Sequence, residues 1–253
     1  MGKSIVCALM IGRKGSVGFP GKNIYPVLGR PLAAYPLLAA KDSANIERIF
    51  VSTDSPELMT IAQEHDAELI ERPPELASKE ALGEDAFVHG YNEIKRRLKK
   101  EGLDIELVVL LFANGATLNK NLIDQGIDIL RNDESFDSAV TTSVYNMWSP
   151  LRARKLDADG CLNPMVPFET FGDPRTLNCD RDSQGDVHFA DMAVSVVRPK
   201  CLENLSGGLL PQKWMGQRIA PISNWGGCDV DYEWQIPMVE FWLRKHGIQE
   251  AEG

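Results

Sequence analysis

Along the first 145 positions, short, nearly unbroken apolar runs alternate with stretches whose apolar residues recur at helical spacing. The runs are Ile5 to Met10, RIFVSTD (48–54), AELIE (67–71), LVVLLF (107–112) and SAVTTSV (138–144). Runs this short, with no polar alternation, suit strands buried on both faces, and LVVLLF, the most apolar, is expected at the centre of the sheet. The helical stretches are LAAYPLLAAK (32–41), which Pro36 must kink or shorten, SPELMTIAQEH (55–65), Gly83 to Lys100 and Asn121 to Arg131. Within Gly83 to Lys100, Phe87, Tyr91, Ile94 and Leu98 share one face, and the cations gather at the carboxyl end, where the helix dipole favours them. Strand and helix in alternation predict an α/β fold, Rossmann-like, with a mostly parallel sheet and helices on both faces. Ligands of such sheets sit beyond the carboxyl ends of the strands.

The pattern breaks after Tyr145. From about 146 to 187, prolines, glycines and polar residues dominate, and SPLRARKLDADG (149–160) reads as a hairpin turning at Asp159 and Gly160. So long an aperiodic stretch inside a compact domain is expected to be an arm, a lid or an oligomerisation excursion. FADMAVSVV (189–197) then returns to the sheet, and DVDYEWQIPMVEFWLRKHG (229–247) is expected to carry a terminal helix. With 253 residues, 43% apolar and 25% charged, the chain can bury a full core, and residues 1–253 read as one domain with one excursion.

Charge narrows the partners. A formal charge of -9 and a pI near 5.0 disfavour nucleic acid and membrane surfaces, so any phosphate site has to be local. Five widely spaced cysteines without a C-x-x-C pair read as reduced thiols, no stretch approaches a membrane span, and the expected location is the cytoplasm. His65, His89 and His246 read as surface or packing residues, and Trp214, Trp225, Trp234 and Trp242 as core or interface anchors.

Three places carry chemistry. RKGSVGFPGKN (13–23) follows the first strand. Gly15, Gly18 and Gly21 let backbone N–H groups approach an anion, while Arg13, Lys14 and Lys22 bring positive charge, so a triphosphate is the expected guest. The loop matches neither the dinucleotide fingerprint nor the P-loop. In CDVDYE, Asp229 and Asp231 stand two apart, a spacing that suits Mg2+ or, equally, a helix cap at Asp231. In ERPPELAS (71–78), Arg72 precedes a stiff Pro-Pro pair and is a candidate to meet a base.

In this order and at these separations, GRKGSVGFPGKN, RIFVSTD, ERPPELAS and the DVD before the terminal helix resemble the CMP-sialic acid synthetase family of cytidylyltransferases. Its superfamily includes the enzymes that activate Kdo, legionaminic acid and pseudaminic acid. The resemblance implies a nucleotidyltransferase fold, a homodimer whose protruding arm completes the neighbouring site, and Mg2+-dependent transfer of CMP from CTP to an acidic small-molecule acceptor. It implies catalytic roles for Arg13, Lys22 and Asp231. Nucleotide contacts fall to Arg13, Lys14, Gly15, Ser16, Lys22, Asn23, Arg72 and Asn114, metal binding to Asp229 and Asp231, and the acceptor's carboxylate to Arg152 and Arg175 of the arm. Val17 stands where the family loop carries Lys, LLFANGATLNK replaces a Gln-Pro-Thr-Ser-Pro-Leu-Arg motif, and DMAVSV replaces Asn-Gly-Ala. An ulosonic acid is the first acceptor to consider. A phosphonate or other non-sugar acid, another nucleoside triphosphate, and a catalytically silent nucleotide-binding homologue stand as alternatives.

Overall fold

A computed structural model describes residues 2–16, 18–78, 80–180 and 184–251; Val17 lies outside them. The strands are β1 (Lys3–Ile11), β2 (Pro26–Val27), β3 (Arg30–Pro31), β4 (Arg48–Thr53), β5 (Glu68–Glu71), β6 (Leu103–Phe112), β7 (Ser138–Val144), β8 (Arg154–Leu156), β9 (Leu162–Pro164), β10 (His188–Val197) and β11 (Ile219–Ser223). The helices are α1 (Ala34–Asp42), α2 (Pro56–Glu64), α3 (Pro74–Ala77), α4 (Gly83–Lys100), α5 (Lys120–Asn132), α6 (Pro199–Glu203) and α7 (Ile236–Lys245).

Seven strands form one sheet in the order β11-β7-β10-β6-β1-β4-β5, with β6 in the middle. Only β10 runs against its neighbours β6 and β7; the other pairings are parallel. The exception has a topological cause. The excursion leaves from the carboxyl end of β7 and comes back where His188 pairs with Val144, and a chain that turns around at one edge must return antiparallel. The arm is therefore rooted at the same edge of the sheet where β1, β4 and β6 end.

Alternate residues of β1 serve two cores. Val6, Ala8 and Met10 pack with residues of α1, α2, α5 and α7, whereas Ile5, Cys7, Leu9 and Ile11 pack with Phe87, Tyr91, Ile94 and Leu98 of α4 and with α6. Strands buried on both faces are what the nearly unbroken apolar runs require. Pro36 is the third residue of α1, in the first turn, where its missing N–H costs no intrahelical bond. Ser55 caps α2 by accepting from Leu58 N at 3.4 Å, and Asn119 caps α5.

The terminal helix starts at Ile236, seven residues after Asp229, and a 3-10 turn over Glu233–Gln235 precedes it. β2, β3, β11, α3 and α6 escaped the periodicity. β11 contains Pro221, tolerable because β11 is an edge strand, and α3 and α6 span only four and five residues. Trp214 and Trp242 are buried, whereas Trp225 and Trp234 are exposed and take no part in the core. Within the arm, β8 pairs with β9 around the expected turn, and its other described residues form 3-10 turns with little burial. Among the described residues, no helix is long and apolar enough to cross a membrane.

Candidate active site

β1 delivers the chain to the carboxyl edge of the sheet at Gly12. A β-carbon there would stand 2.6 Å from Leu58 Cδ1 and 2.7 Å from Ala113 Cβ, so glycine lets β1, α2 and the segment after β6 converge. The loop that follows is fastened from outside. Arg13 Nη1 donates to Ser78 O at 2.6 Å, and Lys14 N donates to Asp54 Oδ1 at 2.7 Å. Gly15 and Gly21 take φ of 83° and 77°, the left-handed region that favours glycine, and Gly21 opens the 3-10 turn over Lys22–Ile24.

That turn aims Lys22 across the cavity, where Nζ meets Asp231 Oδ1 at 2.6 Å. Asp231 is therefore no helix cap: Tyr232 and Gln235 stand at the cap positions, Gln235 Oε1 accepts from Asp231 N at 2.7 Å and from Tyr232 N at 2.8 Å, and the Asp231 carboxylate is left to Lys22. Asp229 lies one strand-step deeper. Gly115 and Asp229 form an antiparallel bridge, Val230 N donates to Asn114 O at 2.9 Å, and Asn114 Nδ2 donates to Val230 O at 3.0 Å and Asp229 Oδ2 at 3.5 Å. Asn114 thus anchors the segment that carries Asp229 and Asp231 as well as lining the cavity. Burial, and then the charge of Asp231, push the Asp229 carboxyl up. A carboxyl raised by burial and by a like-charged neighbour belongs to a pair that a hard dication relieves, and Mg2+ completes its sphere with water and phosphate oxygens. Among the described residues, no group of three or more His, Cys, Asp or Glu stands ready for a metal, so substrate oxygens would have to complete the sphere.

At the end of β5, Arg72 is only 5% exposed. Its Nη2 donates to Ser52 O at 2.7 Å, and its Nε is buried without a partner. Burial pulls the Arg72 guanidinium down to about 10; Asp54 opposes this and Arg13 adds to it.

These groups enclose a cavity of about 370 Å3 lined by Arg13, Gly15, Ser16, Lys22, Asn23, Arg72, Asn114 and Asp231, with Leu76, Ala81, Leu82 and Phe112 as an apolar wall. Lys14 lines a smaller adjoining cleft with Ser55 and Glu57, and Asp229 stands behind Asn114. Arg152 and Arg175 do not line this cavity. Arg152 Nη2 donates to Cys179 O at 2.6 Å within the arm, and Arg175 pairs with Asp173 at 2.7 Å. The apolar wall and Asp54 are the parts that motif reading missed. Asp54 was legible only as the last residue of RIFVSTD, whereas the wall joins α3 to α4 and has no local signature.

Residues 7–195 match the family model described as Cytidylyltransferase. Over 151 residues, 59% of the chain, it is 25% identical to a pseudaminic acid cytidylyltransferase and UDP-2,4-diacetamido-2,4,6-trideoxy-beta-L-altropyranose hydrolase of Helicobacter pylori, of which the match spans 28%. Over 84 residues, 33% of the chain, it is 34% identical to an N-acylneuraminate cytidylyltransferase of Escherichia coli O18:K1:H7, of which the match spans 20%. The matches thus span less than a third of either relative. In fold, the chain is similar to a CMP:2-keto-3-deoxy-manno-octonic acid synthetase complexed with CTP, with a TM-score of 0.64, 14% identity, and coverage of 96% of this chain and 100% of that one. A cation-rich loop after β1, a carboxylate pair facing it, and a family match that runs from β1 into β10 place this chain in the cytidylyltransferase family.

Proposed function

We propose that this chain transfers CMP from CTP to an acidic sugar, a nine- or eight-carbon ulosonic acid, and releases pyrophosphate. The observation that carries the reading is the Lys22–Asp231 pair of 2.6 Å, which brings the phosphate loop and the carboxylate segment to opposite sides of one cavity. The acceptor hydroxyl oxygen bonds to the α-phosphorus as the bond from that phosphorus to the β-phosphate bridge breaks in line. The hydroxyl proton passes to the Asp229 and Asp231 pair. Arg13, Lys14 and Lys22 meet the charge on the phosphoryl oxygens, and Ser16, Asn23 and backbone N–H groups around Gly15 orient them. Arg72, buried with an unserved Nε, holds the nucleotide. Mg2+, held by Asp229 and Asp231, would supply charge neutralisation at the phosphates.

The arm supports a homodimer reading. Met147, Trp148, Leu156, Leu162 and Met165 are each more than half exposed, and Arg152 and Arg175 would serve a neighbouring chain's acceptor. The test is pyrophosphate release with CTP, UTP, ATP and GTP against a panel of ulosonic acids, phosphonates and other small acids. Release with CTP and an ulosonic acid is expected. Turnover confined to a non-sugar acid would replace the acceptor, turnover with another nucleotide would replace CTP, and binding of CTP without turnover would make the chain a silent homologue.

A further inference from the structure

β10 leaves its ladder between Ala190 and Ser195, and side chains of β7 fill the gap. Thr141 Oγ1 accepts from Val194 N at 3.0 Å and donates to Val194 O at 3.2 Å. In the same gap Asp191 is only 5% exposed, and among the described residues it has no ion-pair partner. Its carboxylate is served by three donors instead. Ser143 Oγ donates to Oδ2 at 2.8 Å, Asn224 Nδ2 to Oδ2 at 3.0 Å, and Ala193 N to Oδ1 at 3.1 Å. Between Asp191 and Ala193, Met192 holds a φ of 62°, a left-handed conformation that costs a non-glycine residue on the order of 1–3 kcal/mol and persists only where its surroundings over-determine it.

The chain of bonds leads out of the gap toward the carboxylate segment. Ser143 Oγ accepts from Gly227 N at 2.9 Å. A β-carbon at Gly227 would collide with Asp191 Oδ2 and Asn224 Nδ2, so this approach is open only to glycine. The next residue, Cys228, is held at both ends by Thr117, whose Oγ1 accepts from Cys228 N at 2.9 Å and donates to Cys228 O at 3.1 Å. Asp229 follows, already bridged to Gly115 and anchored by Asn114. Gly227 to Val230 is thus gripped residue by residue, with the buried Asp191 at the root.

We propose that Asp191 is a positioning residue: through Ser143 and Gly227 it fixes the backbone that carries Asp229, and so sets where that carboxylate meets the metal. The proposal rests on the reading that Asp229 and Asp231 bind the cation. A carboxylate suits the task better than an amide. The O–H···O⁻ bond from Ser143 is charge-assisted, and it polarises the Gly227 N–H···Ser143 bond beyond it. An amide would give up one oxygen and turn N–H groups toward the donors already there. Mg2+ tolerates little departure from octahedral ligand geometry, which makes the backbone behind a ligand worth fixing.

The experiment is Mn2+ titration by electron paramagnetic resonance into the full chain saturated with CTP. The proteins are wild type, Asp191→Ala, Asp191→Asn, Ser143→Ala and Asp229→Asn, and CTP affinity in EDTA and thermal midpoint are read alongside. Asp191→Ala and Ser143→Ala are expected to weaken Mn2+ binding roughly tenfold or more, in the range for residues that support a metal ligand. CTP affinity in EDTA should stay unchanged, and Asp191→Asn, which keeps one oxygen for Ser143, should fall between. Ser143→Ala removes one buried atom and keeps the test valid if Asp191→Ala does not fold. If Asp229→Asn loses Mn2+ while the Asp191 and Ser143 variants bind it as wild type does, the positioning role is overturned and the metal assignment stands. If Asp229→Asn binds Mn2+ unchanged, the metal assignment falls and takes the proposal with it. A parallel loss of CTP affinity in EDTA would mean that the clamp shapes the whole cavity, which also overturns the specific role.

Discussion

Arg72 is a buried cation whose charge is only partly balanced. Two of its neighbours, Asp54 and Arg13, pull in opposite directions, and Nε finds no partner. Such a group costs stability in the empty protein and is compensated when an anion arrives. Arg72→Met, which keeps the length and removes the charge, is expected to leave the thermal midpoint without ligand unchanged or raised. The stabilisation by CTP should shrink, and a hundredfold weaker Kd would remove about 2.7 kcal/mol of it. Thermal unfolding across a CTP series checks this, and a midpoint that falls without ligand while the CTP response is kept would reassign Arg72 to structure. Arg72, Lys22 and Asp231 were legible because their residue types sit in short motifs at strand ends. Asp191, Ser143 and Thr117 were not. They come from three separate segments, and only the fold makes them neighbours.

At the edge of the sheet opposite the site, elements are held together by local polar devices, among them Asp137 just before β7. Burial pushes the Asp137 carboxyl up, but the N–H groups of Arg218 and Gln217 and the ammonium of Lys200 outweigh it and hold the group down at about 2. These bonds, at 3.0 Å and 2.8 Å from the two N–H groups and 2.6 Å from Lys200, fasten the turn before β11 to the start of β7. A carboxylate depressed in the folded state contributes stability above its unfolded value of 3.8, and that stability is lost as pH falls from there toward about 2. Asp137→Asn is therefore expected to cost on the order of 2 kcal/mol at neutral pH. The gap to wild type should close as the pH drops from about 4 to about 2, followed by denaturant unfolding at each pH; a gap constant across that window would refute the linkage. The long strands and amphipathic helices were readable from period alone. β11 was not, since five residues with a central Pro carry no pattern, and its place depends on pairing with β7. DMAVSV read only as a departure from a motif, whereas the structure gives Met192 the backbone conformation that the motif's glycine would adopt with ease.

For the whole molecule, the decisive feature is an arm that carries apolar side chains into solvent. Trp148 is 62% exposed and Leu156 68%, and burying a side chain of that size contributes about 1.5–3 kcal/mol. Trp148→Glu combined with Leu156→Glu is expected to convert a dimer to a monomer in sedimentation velocity. CTP should still raise the thermal midpoint, because the cavity proposed to hold it is lined by one chain, while kcat/KM for the acceptor falls. A wild-type chain that stays monomeric at micromolar concentration would remove the arm's assembly role.

The sequence by itself determined the α/β class, the central place of β6 and the cation-rich loop, because each is written in period, composition or a short contiguous motif. Tertiary structure decided the rest. It turned β10 antiparallel through the geometry of the return, set Lys22 against Asp231 across 209 positions of chain, and buried Arg72. It also stacked Asp191, Ser143 and Gly227 behind Asp229. Contacts between residues far apart in the chain depend on how the strands pair and where the loops converge, and no local pattern records that.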